Sequence, residues 1–410
     1  MEKNRTAGKF LTVILLVALA VCYLPHVVLA GTDNVAKAGN DAKKARNIIF
    51  MVPDGMGLAD VTAARIFKNG PNGKRLSLEG LEQIGYQRTQ SENSTVTDSA
   101  AAASAWAAGE KFANGEISFH SKDKTYNKTI LELAAMKGKA TGLVVTSTIT
   151  HATPAAFGSH VHHRKCETEI GRQYIFDTKV DVLLGGGIGV NSPPCSFDKT
   201  DSANVEALIQ DATGQGYTLV KNEADLKNAV AGGAGKVLGI FTSDYPTRAK
   251  TPEYFRVDPS KVYPEGEPTL AELTQAALDI LEKDKVGFFL LIEGSQVDWA
   301  NHGHKIDYQI AEMLGFDAAV SVVLDWLNAD KSRAAETLLV IVPDHECGGF
   351  AINGPYGSLS RAGDMVQAAW TSDNHTAVDT IIWSQGPGSA QLGKSIDNTD
   401  IYEIIKNIMD

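Results

Sequence analysis

Glu293-Gly294-Ser295-Gln296-Val297-Asp298-Trp299-Ala300-Asn301-His302 follows an apolar run, Val286 to Ile292. A run of that length and composition reads as a strand buried on both faces, the kind found in parallel sheets with helices on either side. The first residue past it is a carboxylate. If the following piece is helical, Asp298 and His302 fall one turn apart on the same face. A carboxylate and an imidazole so placed are a ready pair of metal ligands. An ordinary amphipathic helix with a solvated Asp and His would carry the same letters.

Three more buried runs end the same way. Asn47 to Val52 leads into Pro53-Asp54-Gly55-Met56-Gly57, which also reads as a common Asp-Gly turn. Ala140 to Val145 leads through a loop to His151-Ala152-Thr153-Pro154. Thr337 to Val342 leads into Pro343-Asp344-His345-Glu346. Further strands are expected at Val180–Leu184, Val237–Phe241 and Val378–Trp383, and helices at Asp201–Ala212, Glu223–Val230 and Thr269–Lys283. Thr242 to Pro268, rich in Pro, Tyr and charge, reads as a surface loop. The whole predicts an α/β protein, a three-layer α/β/α sandwich around a large, mostly parallel sheet. Such a sheet brings its strand ends to one rim, where ligands bind.

Thr97-Asp98-Ser99 opens an alanine-rich helix, Ala100 to Ala108, closed by Gly109. Asp and Ser there are ordinary caps. A serine hydroxyl at a helix start also points where backbone N–H groups and the helix dipole favour an anion. No Gly-x-Ser-x-Gly elbow surrounds Ser99, so a side-chain triad is not indicated, and a metal could activate the hydroxyl instead. Gly185-Gly186-Gly187 lacks the Lys-Ser/Thr of a nucleotide loop. His160, His162 and His163 cluster near Arg164 but read as loop or surface histidines. Arg164 offers a planar fork that suits phosphate, although a surface ion pair would account for it too.

At 410 residues the chain can bury a large core. Lys3, Arg5 and Lys9 before the apolar run Leu11–Leu24, with Val28-Leu29-Ala30 after it, read as a secretory signal over residues 1–30, with an uncleaved membrane anchor as the alternative. The expected location is a periplasm or the outside. Residues 31–45 read as a flexible tether and 46–410 as one catalytic domain. The formal charge is −11, and no basic block occurs, which argues against binding nucleic acid through its backbone. Cys166 and Cys195 are a plausible disulfide in an exported chain, leaving Cys347.

Taken together, Asp54, Asp298, His302, Asp344, His345 and His375 supply enough ligands for two zinc ions, and Thr153, Glu293 and a shared Asp54 would suit a harder ion. Val52-Pro53-Asp54-Gly55-Met56-Gly57, Thr97-Asp98-Ser99-Ala100, His151-Ala152-Thr153-Pro154, Arg164-Lys165-Cys166, Glu293-Gly294 with Asp298 and His302, Asp344-His345 and His375-Thr376 resemble alkaline phosphatase. The resemblance runs in order from about residue 46 to the C-terminus. It implies hydrolysis of small phosphomonoesters at alkaline pH, with Ser99 as the nucleophile that becomes a phosphoserine and Arg164 as the phosphate clamp. It implies one zinc on Asp298, His302 and His375, a second on Asp54, Asp344 and His345 with Ser99, and magnesium on Asp54, Thr153 and Glu293. A homodimer is implied as well.

The enterobacterial form of the family has Asp where His151 stands and Lys where Trp299 stands, while other members carry the His and Trp found here. A neutral His anchors the water shell of magnesium less firmly than a carboxylate. His151 and Trp299 therefore stand behind the ligands, and the third site is expected to be weaker or to accept zinc. Two alternatives stay open at this point. One is another hydrolase of the same superfamily, such as a phosphodiesterase. The other is an exported protein that binds phosphate or metal without catalysis.

Overall fold

In the computed structural model, residues 44–195, 201–241 and 267–410 are described. The signal segment, residues 31–43 of the tether, and 242–266 of the expected surface loop lie outside them. Ala45, read as the end of the tether, is fully buried and donates its N–H to the Ile408 carbonyl at 2.8 Å.

The strands in chain order are β1 (Asn47–Pro53), β2 (Gln83–Arg88), β3 (Ala140–Val145), β4 (Val182–Gly185), β5 (Thr218–Val220), β6 (Val237–Ile240) and β7 (Phe288–Gly294). They continue as β8 (Thr337–Ile341), β9 (Glu346–Cys347), β10 (Ala351–Gly354), β11 (Gln367–Ala369), β12 (His375–Thr376), β13 (Thr380–Gln385) and β14 (Ser395–Asp397). Ten of them form one sheet in the order β14-β2-β13-β8-β1-β7-β3-β4-β6-β5. From β8 to β5 every pairing is parallel, and β13 runs antiparallel to both β8 and β2.

The apolar run of β1 shows why the sheet is a middle layer. Side chains of a strand alternate between its two faces. Ile48, Phe50 and Val52 belong to one hydrophobic cluster, and Ile49 and Met51 to the other. The first cluster is covered by the helices Ser99–Ala108, Ile130–Met136, Ala152–Gly158, Glu167–Phe176 and Asp400–Ile408. The second is covered by Leu58–Asn69, Glu223–Ala231, Leu270–Leu281 and Ile306–Ala329. With both faces covered, no polar stripe is needed, and a strand such as β1 can be apolar throughout.

The Ser99–Ala108 helix lies against β1 because small side chains permit it: every residue in it is buried, and only Trp106 is large. The Trp106 ring meets Phe50 with centroids 5.3 Å apart, and its Nε1–H donates to Gln87 Oε1 at 2.8 Å. Asp98 caps the helix by accepting from the Ala101 N–H at 2.9 Å, and Gly109 ends it with φ of 77°. Cys166 and Cys195 form a disulfide, and Cys347 is buried and free.

Candidate active site

The parallel strands β1, β3, β7 and β8 end at one rim. Val52 and Val145 both register with Glu293, so the residues just beyond these strands converge. Asp54 donates its N–H to the Gly294 carbonyl at 3.1 Å, and the next residue, Gly55, has φ of +73°. A Cβ at Gly55 would stand 2.7 Å from the Asp298 backbone. Only glycine lets the Asp54 loop and the Asp298 helix approach so closely. The Gly55 N–H also donates to Asp344 Oδ1 at 3.1 Å, tying the β1 and β8 loops together.

Two groups of donor atoms result. Asp298 Oδ1 lies 3.4 Å from Nε2 of His302 and 3.4 Å from Nε2 of His375, and the two ring nitrogens are 3.1 Å apart. The helix Gln296–His302 does place Asp298 and His302 one turn apart. The other ring nitrogen of each histidine faces a backbone carbonyl: His302 Nδ1 that of Asp373 at 2.6 Å, His375 Nδ1 that of Thr97 at 2.9 Å. That arrangement fixes each ring with Nε2 turned into the site. In the second group, His345 Nε2 lies 3.1 Å from Asp344 Oδ2, 3.3 Å from Ser99 Oγ and 3.7 Å from Asp54 Oδ1.

These spacings bear on whether zinc fits. In a tetrahedral shell with bonds of about 2.0–2.1 Å, neighbouring donors stand about 3.3–3.4 Å apart. Both groups match that spacing to within a few tenths of an ångström. The electrostatics point the same way. Asp54, Glu293, Asp298 and Asp344 are all buried, and neither oxygen of Asp54 accepts a hydrogen bond from the described residues. Burial, and then the charges of Asp344, Asp298 and Glu293, push the Asp54 carboxyl well above the usual range. Burial raises Glu293 to about 7, against the hydrogen bonds of Ser295 and Thr153. Burial would also raise Asp344, but His345 outweighs it and holds the group at about 2. Asp298 is likewise held low, against burial, by His375, His345 and His302. Four carboxylates packed in this way are a site for cations.

His151 comes closer than the sequence reading placed it. One of its ring nitrogens lies within 4.8 Å of oxygens of both Asp54 and Glu293, alongside the buried Thr153. Burial, then the neighbouring Arg164, lowers its imidazole to about 3. Trp299 stands edge-on to His151, with centroids 6.1 Å apart. His304 turns away from the Asp298 group and meets the Ser372 carbonyl at 3.0 Å.

Arg164 meets His151 at the same rim. Its Nη1 donates to Asp98 Oδ2 at 3.1 Å, and its Nη2 lies 3.3 Å from His151 Nε2. Sequence reasoning took Asp98 for a cap alone. Asp98 is also the anchor of Arg164, and Asp98 Oδ2 accepts the Gly115 N–H as well. Cys347 Sγ donates to the Asp298 carbonyl at 3.6 Å and lies within 4.8 Å of the three donors of the first group. The Asp98–Arg164 partnership leaves no sequence pattern, because the partners lie far apart in the chain, whereas the place of Cys347 two residues after His345 already puts it within reach of a metal.

Comparison with known proteins gives the family. The alkaline phosphatase family profile matches residues 45–365. The chain belongs to the alkaline phosphatase family. It is a phosphomonoester hydrolase of a metal-dependent family. Alkaline phosphatase 3 of Bacillus subtilis is 32% identical, over 91% of this chain and 90% of its own. The structure of the alkaline phosphatase from the Antarctic bacterium TAB5 superimposes with a TM-score of 0.71 at 27% identity, covering 90% of this chain and 98% of that one. That of Thermus thermophilus alkaline phosphatase gives 0.74 at 25% identity, covering 90% and 92%. A TAB5 variant in which a histidine is replaced by aspartate has been solved with magnesium bound in its M3 site.

Proposed function

We propose that this phosphatase acts through a phosphoserine formed on Ser99, with zinc on the two donor groups and a third site at Asp54, Thr153 and Glu293. The observation that carries the proposal is the position of the Ser99 hydroxyl. It sits at a helix N-terminus, 3.3 Å from His345 Nε2, in a rim lined by carboxylates and faced by Arg164. Asp54, Asp344 and His345 would hold one zinc and Asp298, His302 and His375 the other. Bound there, zinc supplies a lowered pKa for a hydroxyl or water and charge to offset the departing oxygen.

The residues of the chain do the rest. Arg164, held on Asp98, presents its guanidinium to two phosphate oxygens. Ser99 Oγ gives up its proton and attacks phosphorus in line, the bond to the ester oxygen breaks, and that oxygen takes up a proton and leaves as the alcohol. Water then attacks the phosphoserine, the Oγ–P bond breaks, and inorganic phosphate leaves with Ser99 restored. The backbone N–H groups at the helix start favour the anion through both steps.

The third site is proposed to bind magnesium weakly or to accept zinc, because a neutral His151 stands where a carboxylate would hold the ion's water shell. The magnesium-loaded His-to-Asp variant of the TAB5 enzyme supports this reading. We also propose export, on the strength of residues 1–30, and a dimer. Cell fractionation with N-terminal sequencing, and sedimentation equilibrium, test these two.

The deciding experiment compares a chromogenic phosphate monoester with the matching diester from neutral to alkaline pH, before and after chelation, with zinc and magnesium added back. Monoester turnover that rises with pH, dominates, and returns with zinc is expected. Mass spectrometry of acid-quenched enzyme should find about 80 Da added on the peptide carrying Ser99, the mass of one phosphoryl group. Faster diester turnover, or no phosphoserine, overturns the reading.

A further inference from the structure

We infer that Glu346 is a positioning residue that holds the two zinc-ligand groups in register with each other. The inference rests on the two-zinc reading above.

Glu346 directly follows His345 and is 6% exposed. It opens β9, which pairs antiparallel with β12. In that ribbon Thr376 lies opposite Glu346 and His375 lies opposite Cys347. The ribbon thus contains His375 of the first donor group and directly follows His345 of the second. Two residues per strand cannot stabilise such a ribbon alone. The Glu346 carboxylate supplies what the ladder lacks. Its Oε2 accepts the Thr376 hydroxyl and the Gly349 N–H, the latter at 3.2 Å, and its Oε1 accepts the Phe350 N–H at 3.0 Å. These donors are neutral and face a buried anion, so the bonds are charge-assisted and strong.

The surrounding backbone is shaped to make those bonds. Gly348 and Gly349 both have positive φ, +86° and +57°, which folds the chain back so that successive N–H groups face the carboxylate. The same side chain closes over the Asp54 loop: a Cβ at Gly57 would stand 2.8 Å from Glu346 Cγ. The Cys347 N–H donates to the Gly55 carbonyl at 2.9 Å. Glu346 therefore touches the loop of Asp54, adjoins His345, and grips the residue next to His375. None of the proposed metal-binding roles uses it.

A second set of bonds completes the frame on the His302 side. Asp60, fully buried, accepts the Gly57 N–H at 2.7 Å and the Asn301 side-chain N–H at 2.9 Å. Asn301, next to His302, accepts from Trp370 Nε1 at 2.9 Å. The loops of Asp54, His302, His345 and His375 are thereby joined behind the donor atoms.

The test measures zinc binding and steady-state kinetics of the full-length protein and of Glu346→Ala, Glu346→Gln, Thr376→Val and Thr376→Ser. Zinc affinity is read by competition with a chromogenic chelator. Glu346→Ala is expected to weaken the looser of two bound zinc ions at least tenfold and to lower kcat at least tenfold with KM little changed, because Arg164 is untouched. Glu346→Gln loses one acceptor and should fall between. Thr376→Val should weaken zinc, and Thr376→Ser should restore it. Should Glu346→Ala fail to fold, the Thr376 pair decides the matter. Variants that are folded and hold two zinc ions as tightly as the unaltered protein, with its kcat, overturn the inference. An unaltered protein that binds fewer than two zinc ions overturns the two-zinc reading instead.

Discussion

The hydroxyl of Ser99 and Nε2 of His345 stand 3.3 Å apart although 246 residues separate them in the chain. This pairing gives the most direct prediction. Ser99→Ala removes the attacking atom and leaves the donors of the second group otherwise intact. Turnover of a phosphate monoester should fall at least about 10³-fold, while inhibition by inorganic phosphate persists. A Ser99→Ala protein that keeps more than a tenth of its turnover would assign the nucleophile elsewhere.

Arg164 and Asp98 give a paired prediction. Removing a charge-assisted fork costs about 1.5–3 kcal/mol, so Arg164→Ala should raise KM and the phosphate inhibition constant about 10- to 100-fold. Asp98→Ala frees the guanidinium but also uncaps the Ser99 helix. It should cost about 1 kcal/mol of stability and alter phosphate binding in the same protein. Thermal unfolding and phosphate inhibition, measured together, check both effects.

His151 carries no charge across the working range, since burial and Arg164 lower its imidazole to about 3. His151→Asp adds a carboxylate beside Asp54 and Glu293. Magnesium affinity, measured by titration of metal-free protein, should rise about tenfold or more. An unchanged magnesium affinity would place the third ion away from His151.

A pH effect on stability follows from Glu132, in the first turn of the helix Ile130–Met136. Burial would raise its carboxyl, but His160 at 2.9 Å, Lys128 at 2.7 Å and the Thr129 N–H outweigh burial and hold it at about 2, against an ordinary 4.5. A depressed folded-state pKa gives stability that is complete above pH 4.5 and is lost as pH falls from there toward 2. Screened by solvent at the exposed Lys128, the amount is on the order of 1–2 kcal/mol. Glu132→Gln should therefore lower the melting temperature near pH 6, with the gap shrinking below pH 4.5 and nearly gone by about pH 2. A gap independent of pH would remove the charge from the explanation.

What the sequence disclosed, and what it hid, divides along physical lines. β1, β3, β7 and β8 are legible because a strand covered on both faces is apolar at every position. Each one ends beside a residue of the site. Their boundaries shift slightly at the rims: Val286 is exposed and precedes β7, and Val378 is exposed and precedes β13. β2 was invisible because its alternation is inverted, with Ile84 and Tyr86 exposed and Gln87 fully buried against Trp106 and the Pro343 carbonyl. β9 and β12 are too short to carry a period. The helix Ile306–Ala329 has every position from Tyr308 to Leu314 buried, which erases the amphipathic stripe. The ligands were legible as residue types after strands. Contacts such as Asp98 with Arg164, or Glu346 with Thr376, depend on the fold alone.

The place of β1 in the sheet also sets an order of assembly. Its two neighbours are β7 and β8, which come 235 residues or more after it, as the pairings Phe50 with Leu291 and Phe50 with Val340 show. A growing chain that has reached Ile240 already carries Asp54, Ser99 and Arg164, yet its first strand has no partner on either side. β1 waits for two strands made much later, and the edges of Ile48 to Val52 stay unpaired meanwhile. Chains stalled on the ribosome before residue 337 should remain open to protease and capture no zinc, and protection should arrive in one step once β8 has emerged. On the two-zinc reading, metal capture is then expected to wait for the part of the chain that follows residue 337.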